Sequence, residues 1–106
     1  MSIKKATPPI KPRPPKEKEF QAVVVSYATA RGWLVYHTYN SKRSAKGYPD
    51  LHLVRGPRSV FAELKRSGKE RLKLDQEKWR DALLAAGQEW HLWTPEAWPD
   101  IREALA

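Results

Sequence analysis

The sequence predicts an α/β sandwich in the order αβββαβ, closed by a C-terminal helix and built on a small mixed four-stranded sheet. Three observations lead there. Apolar residues at three- and four-residue spacing begin at Phe20 and mark a helix. Two short runs rich in β-branched and aromatic residues flank Gly56-Pro57, the pattern of a hairpin, and a third such run precedes them. A second helical stretch then leads to a fourth strand, and a strand–helix–strand crossover within one sheet is parallel and right-handed.

Each element has its own reason. Residues 1–16 hold Pro8, Pro9, Pro12, Pro14 and Pro15 among lysines, with too little apolar surface to offset the entropy of ordering, and are expected to form a flexible basic tail. From Glu17 a helix should bury Phe20, Val23, Val24, Tyr27 and Ala28 on one stripe and stop at Gly32. Residues 33–39 read as a strand and 40–47 as a polar basic loop. Residues 50–55 and 59–66 form the hairpin.

The second helix should run over 74–86 and turn Leu74, Trp79, Leu83 and Leu84 inward. Asp75 and Glu77 suit its positive end, and Gly87 stops it. Residues 90–93 form the fourth strand. Thr94 is placed to cap a last helix with Pro95 at its first position, and Pro99 should break or restart it before Ile101 and Leu105.

Composition narrows the function. With 106 residues, 41% hydrophobic and 30% charged, the chain suits one small domain over residues 17–106, whose thin core would gain from dimerisation. The absence of cysteine removes disulfides and thiolate metal sites and fits a reducing cytosol. No apolar run is long enough to span a bilayer, and the N-terminus lacks the apolar core of a signal peptide, so no membrane association is expected. The net charge is +8, of which Lys4, Lys5, Lys11, Arg13 and Lys16 place five ahead of the first acid. Such a chain attracts polyanions, nucleic acid above all.

Pro49-Asp50 is followed, after twelve residues, by Glu63-Leu64-Lys65. Glu63 and Lys65 lie two apart on a strand, so both side chains leave the same face, while Val60, Ala62 and Leu64 serve the other. Asp50 opens the preceding strand, and the start of one hairpin strand faces the end of the next. Two carboxylates with substrate phosphate suit Mg²⁺ or Mn²⁺, hard cations that take oxygen ligands. Lys65 could orient a water or offset charge growing on phosphate. The pattern points to metal-dependent phosphodiester hydrolysis. The alternative is an exposed Glu63–Lys65 pair of little energetic consequence.

DNA contacts are expected from Asn40, Ser41, Lys42, Arg43 and Lys46, in the loop that leads into Asp50. Arg66 and Lys69, with Arg71 and Lys73, could extend that surface. His37 and His52 could meet phosphate, although packing is the commoner use of histidines near a sheet. His91 and most of the five tryptophans are expected in structural roles rather than stacked on bases.

Six segments also follow a family order: Glu17-Lys18-Glu19-Phe20-Gln21, residues 32–38, Gly47-Tyr48-Pro49-Asp50-Leu51, residues 60–65, Asp75-Gln76 and Trp93-Thr94-Pro95. Together they resemble the VRR-NUC (virus-type replication-repair nuclease) family of the PD-(D/E)xK nuclease superfamily. The resemblance implies a restriction-endonuclease-like sandwich, with Asp50 and Glu63 as metal ligands and Lys65 as the catalytic lysine. It implies a further carboxylate at the site from the first helix, Glu17, as a catalytic residue and third metal ligand, with Glu19 left open. It also implies that Gln76 sits near the site, beside substrate or Lys65. Where relatives often start the second helix with Thr-Pro, this chain has Lys73-Leu74, a weaker cap. The implied activity is that of a structure-specific endodeoxyribonuclease acting on Holliday-junction or other branched DNA in replication, repair or recombination. The implied setting is a homodimer in the cytoplasm of a bacterial or phage-infected cell. The competing readings are a non-catalytic DNA-binding module, against which the intact Asp50, Glu63 and Lys65 speak, and a sequence-specific restriction-type nuclease, for which the chain has little room.

Overall fold

The first helix, α1 (Glu17–Ala30), starts where Glu19 Oε1 accepts the Lys16 backbone N–H at 2.8 Å, and its buried side chains are Phe20, Val24 and Ala28. The computed structural model describes residues 16–39 and 43–106. Four strands follow α1: β1 (Leu34–His37), β2 (Leu51–Arg55), β3 (Arg58–Leu64) and, after the helix α2 (Leu74–Ala85), β4 (Glu89–Trp93). A 3₁₀ turn (Pro95–Ala97) leads into α3 (Trp98–Leu105). The tail expected over residues 1–16 lies outside the described residues except for Lys16.

The sheet order is β1-β2-β3-β4, with the first two pairings antiparallel and β3–β4 parallel. This is the expected αβββαβ arrangement with a C-terminal helix. Pairing of Leu51 with Ala62 and Leu53 with Val60 puts all four on one face, where they are fully buried. Phe20, Val24 and Ala28 of α1 and Ile101 and Leu105 of α3 cover that face, together with Trp33 and Trp93. Burial of this apolar face is the main force holding the domain together.

The end of α3 is tied to the sheet by cations, which suit the negative end of a helix. Arg58 Nη1 donates to the Ala104 carbonyl at 2.8 Å and Arg55 Nη2 to that of Ala106 at 2.7 Å. Trp33 Nε1 donates to the Leu105 carbonyl at 3.0 Å, and both guanidinium groups lie over its ring. Arg58 also pairs with Glu89 on β4 at 2.7 Å.

Several expectations are corrected. Val23 is 51% exposed rather than core, and Tyr27 is only partly buried, with its ring edge-on to Trp98 at 5.2 Å. No residue of α2 is buried, and Leu74 is 82% exposed. The reason is geometric. The helix lies across the face opposite the core and leans on it through Trp79, whose ring meets Tyr48 at 4.8 Å. β1 is shorter than residues 33–39 because Trp33 turns into the core, while Thr38 N continues the ladder with a bond to the Asp50 carbonyl at 2.8 Å. Pro99 restarts a helix, as expected, inside the first turn of α3. Among the described residues no helix is long and apolar enough to cross a membrane.

Candidate active site

β3 carries Glu63 near its C-terminal end, and Lys65 follows directly, its N–H donating to the Trp93 carbonyl at 2.9 Å. Neither side chain is exposed as a surface pair would be: Glu63 is 3% and Lys65 8% accessible. Both leave the face opposite the apolar core, beneath the first turn of α2. Asp50 sits at the foot of β2, where Oδ2 accepts the Leu64 backbone N–H at 2.8 Å. That bond pins the carboxylate beside Glu63, close enough for the two carboxyls to share a hydrogen bond.

Gln76 joins these groups. Its Oε1 accepts from Lys65 Nζ at 2.9 Å and from the Lys73 N–H at 2.8 Å, while Nε2 donates to Glu63 Oε2 at 2.8 Å. One amide therefore caps α2 and orients two buried ionisable groups. The Lys73 side chain makes no cap bond of the kind a threonine offers to the N3 amide, and Gln76 supplies the other half of the usual exchange by accepting the Lys73 N–H. Lys65 Nζ lies 3.9 Å from Glu63 Oε2, a longer and weaker contact than either bond to Gln76.

These groups line one cavity of about 700 Å³, with Glu17 on its wall. Glu19 instead closes the first turn of α1 by accepting from Lys16. Burial pushes the Glu63 carboxyl up to about 8, with the Asp50 charge adding to the effect and Lys65 opposing it. Burial likewise raises Asp50, against the pull of its bond from Leu64. Glu17 is raised by burial and then by Asp50. Five acids thus crowd a cavity in a chain of net charge +8, and three of them, Glu17, Asp50 and Glu63, each hold a proton more tightly than they would in water.

That crowding is the test of a metal site. A proton held between them would relieve the Asp50–Glu63 repulsion, and a divalent cation would relieve it more fully. The bonds from Leu64 and Gln76 fix Asp50 Oδ2 and Glu63 Oε2, and neither takes the second oxygen of its carboxyl. Hard oxygen donors of this kind fit Mg²⁺ or Mn²⁺. Among the described residues no three metal-ligating side chains form a ready-made cluster; Asp50 and Glu63 are the adjacent pair, and Glu17 lines the same cavity.

The expected DNA-contacting residues are only partly brought to the cavity. Lys46 lines it, 91% exposed and 3.9 Å from Asp75 Oδ2. Arg43 is exposed on the same loop without lining the cavity. Asn40, Ser41 and Lys42 lie outside the described residues. Arg66 and Lys69 are exposed in the segment after β3 and do not line the cavity. His52 packs rather than reaches out: it stacks on Phe61 at 4.2 Å and bonds Ser59 Oγ at 2.7 Å. His91 bonds Glu89 at 2.9 Å and stacks on Trp93, a structural placement.

Sequence reasoning passed over Tyr39, Tyr48 and Glu70, which also line the cavity. Tyr48 stood between Gly47 and Pro49 as an aromatic inside the motif, a signal that could have been used. Glu70 offered none, because only the turn after β3 brings it round.

No family model matches the sequence, and no curated protein matches it either. A solved structure described as a VRR_NUC domain is similar, with a TM-score of 0.61 and 24% identity, over 72% of this chain and 81% of that one. At that identity the likeness establishes a shared fold.

Proposed function

We propose that residues 17–106 form a divalent-metal-dependent endodeoxyribonuclease that hydrolyses phosphodiester bonds through Asp50, Glu63 and Lys65. The observation that carries this reading is the buried Asp50–Glu63 carboxyl pair, with Lys65 held beside it by Gln76 in a cavity bordered by a basic loop. A fold shared with a VRR_NUC domain supports it. Asp50 and Glu63 would hold Mg²⁺ or Mn²⁺, which supplies a polarised phosphoryl oxygen and a bound water of lowered pKa.

The chain's own residues do the rest. Leu64 N–H and Gln76 Nε2 fix one oxygen of each carboxylate and so aim the other. Lys65 Nζ stands at the cavity floor, where it can orient the attacking water and offset charge that grows on the phosphoryl oxygens. Glu17, opposite, can accept a proton from a water entering the site. Lys46 lies on the path of the DNA backbone, with Arg43 and Lys42 expected beside it. Branched DNA such as a Holliday junction, cut by a homodimer in a bacterial or phage-infected cell, is the substrate and setting that fit this reading.

The test is cleavage of linear duplex, flap and four-way-junction DNA in Mg²⁺, Mn²⁺ or EDTA. Lys65→Ala and Asp50→Ala should each abolish cleavage and leave salt-sensitive DNA binding. Cleavage that survives either substitution, or EDTA, overturns the proposed site. Binding of DNA with no cleavage of any substrate would establish a non-catalytic module instead. Light scattering after gel filtration decides the dimer separately.

A further inference from the structure

We propose that Gly47 is a positioning residue for catalysis, seating the first turn of α2 so that Gln76 reaches Lys65 and Glu63; this rests on the nuclease reading above. Gly47 has φ +84°, and a Cβ there would fall 2.4 Å from the Asp75 carbonyl carbon and 2.5 Å from its oxygen. The backbone of residue 47 fixes where a Cβ stands, and the atoms it meets are Asp75 main chain and Cβ, so no rotamer change can relieve the contact. Asp75 immediately precedes Gln76, whose amide bonds both Lys65 and Glu63.

The neighbours of Gly47 complete the seat. Lys46 Nζ approaches Asp75 Oδ2 at 3.9 Å, and Tyr48 meets Trp79 of α2 at 4.8 Å. Because α2 has no fully buried residue, its height over the sheet depends on these contacts and on the half-buried Gln76, Trp79 and Leu83. A methyl group at position 47 needs about 1 Å more room to reach ordinary van der Waals separation. A shift of that size breaks hydrogen bonds of 2.8–2.9 Å to Gln76. The glycine thereby links the loop expected to hold DNA to the amide that sets the catalytic lysine.

The experiment compares Gly47→Ala with Gly87→Ala. Gly87 has φ +78° with nothing within 4 Å of an added Cβ, so it carries the same backbone strain without the contact. Cleavage kinetics in Mg²⁺ and the side-chain amide resonance of Gln76 in metal-free ¹⁵N-labelled protein are the two readouts, the resonance assigned by Gln76→Ala. Gly47→Ala is expected to shift that resonance and to lower kcat by about 10- to 100-fold, with KM for DNA changed by less than about threefold. Gly87→Ala should lower the melting temperature yet leave both readouts unchanged. Adding Gly47→Ala to Gln76→Ala should slow cleavage by no more than about twofold, because both act through one amide. If Gly47→Ala does not fold, Gly47→Asn keeps the Cβ contact in a residue that tolerates positive φ. An unmoved Gln76 resonance, an unchanged kcat, or losses that multiply in the double variant would overturn the proposal. Wild-type protein that cleaves nothing would sink the nuclease reading alone, while the resonance still decides whether Gly47 places Gln76.

Discussion

Glu63 shows how one side chain can report the state of the whole site. Burial and the Asp50 charge push its carboxyl from an ordinary 4.5 to about 8, so between those values the folded metal-free protein binds a proton that the unfolded chain releases. Stability contributed by that proton is complete below about pH 4.5 and is lost as pH rises through about 8. Urea unfolding in EDTA should therefore show a midpoint that falls from pH 5 to pH 8.5, and Glu63→Gln should flatten the fall. Glu89 has the opposite sign. Burial alone would raise it, but bonds and charge from Arg58 and His91 hold it below its ordinary value, so its contribution is lost at low pH. Gln76→Ala removes both the bond that caps α2 and the bond that holds Lys65. It is expected to cost about 1 kcal/mol of stability and a 10- to 100-fold share of cleavage rate, roughly the loss seen when partners of active-site ligands are removed. The roles expected of Asp50, Glu63 and Lys65 could be read from spacing, because a strand's two-residue period needs no tertiary knowledge. Burial of Lys65 and its bond to Gln76 could not, since both depend on where α2 lies across the sheet.

The helices differ in how they are anchored, and the difference explains which parts of the sequence were legible. α1 spaces Phe20, Val24 and Ala28 four residues apart, and all three are buried. The wider stripe expected from the sequence included Val23, which the same geometry turns outward. α2 carries enough leucine to suggest a core face, yet none of its residues is fully buried. It is held by Trp79 against Tyr48, by Gln76 on Lys65 and Glu63, and by close approach to Gly47. Periodicity reports an amphipathic helix but not how closely the sheet approaches it. Phe20→Ala should accordingly cost about 3–5 kcal/mol, whereas Leu74→Ala should cost less than about 0.5 kcal/mol. Chemical denaturation of the two variants measures both. The cationic tie on α3 was invisible in sequence, because Arg55 and Arg58 read there as ordinary hairpin charges.

Over the whole molecule, a net charge of +8 coexists with a cavity lined by five acids. The +8 balance favours approach of a polyanion, and under the proposed function a cation at the acids of the cavity would offset their repulsion of phosphate. DNA affinity should weaken steeply with salt, and Lys46→Ala should reduce the slope by about one phosphate contact without changing base preference; fluorescence anisotropy at several salt concentrations checks this. The fold class followed from element order alone, because a hairpin and one crossover leave few ways to arrange four strands. The two sheet faces are unequal: α1 and α3 seal one, while α2 rests on the other with no residue buried. Amide hydrogen exchange should consequently divide the chain into two regimes, slow in α1 and the central strands and fast in α2. The helix that carries Gln76 can then open without disturbing the core, and a DNA molecule bridging the loop and the sheet would be recorded as slowed exchange in α2 alone.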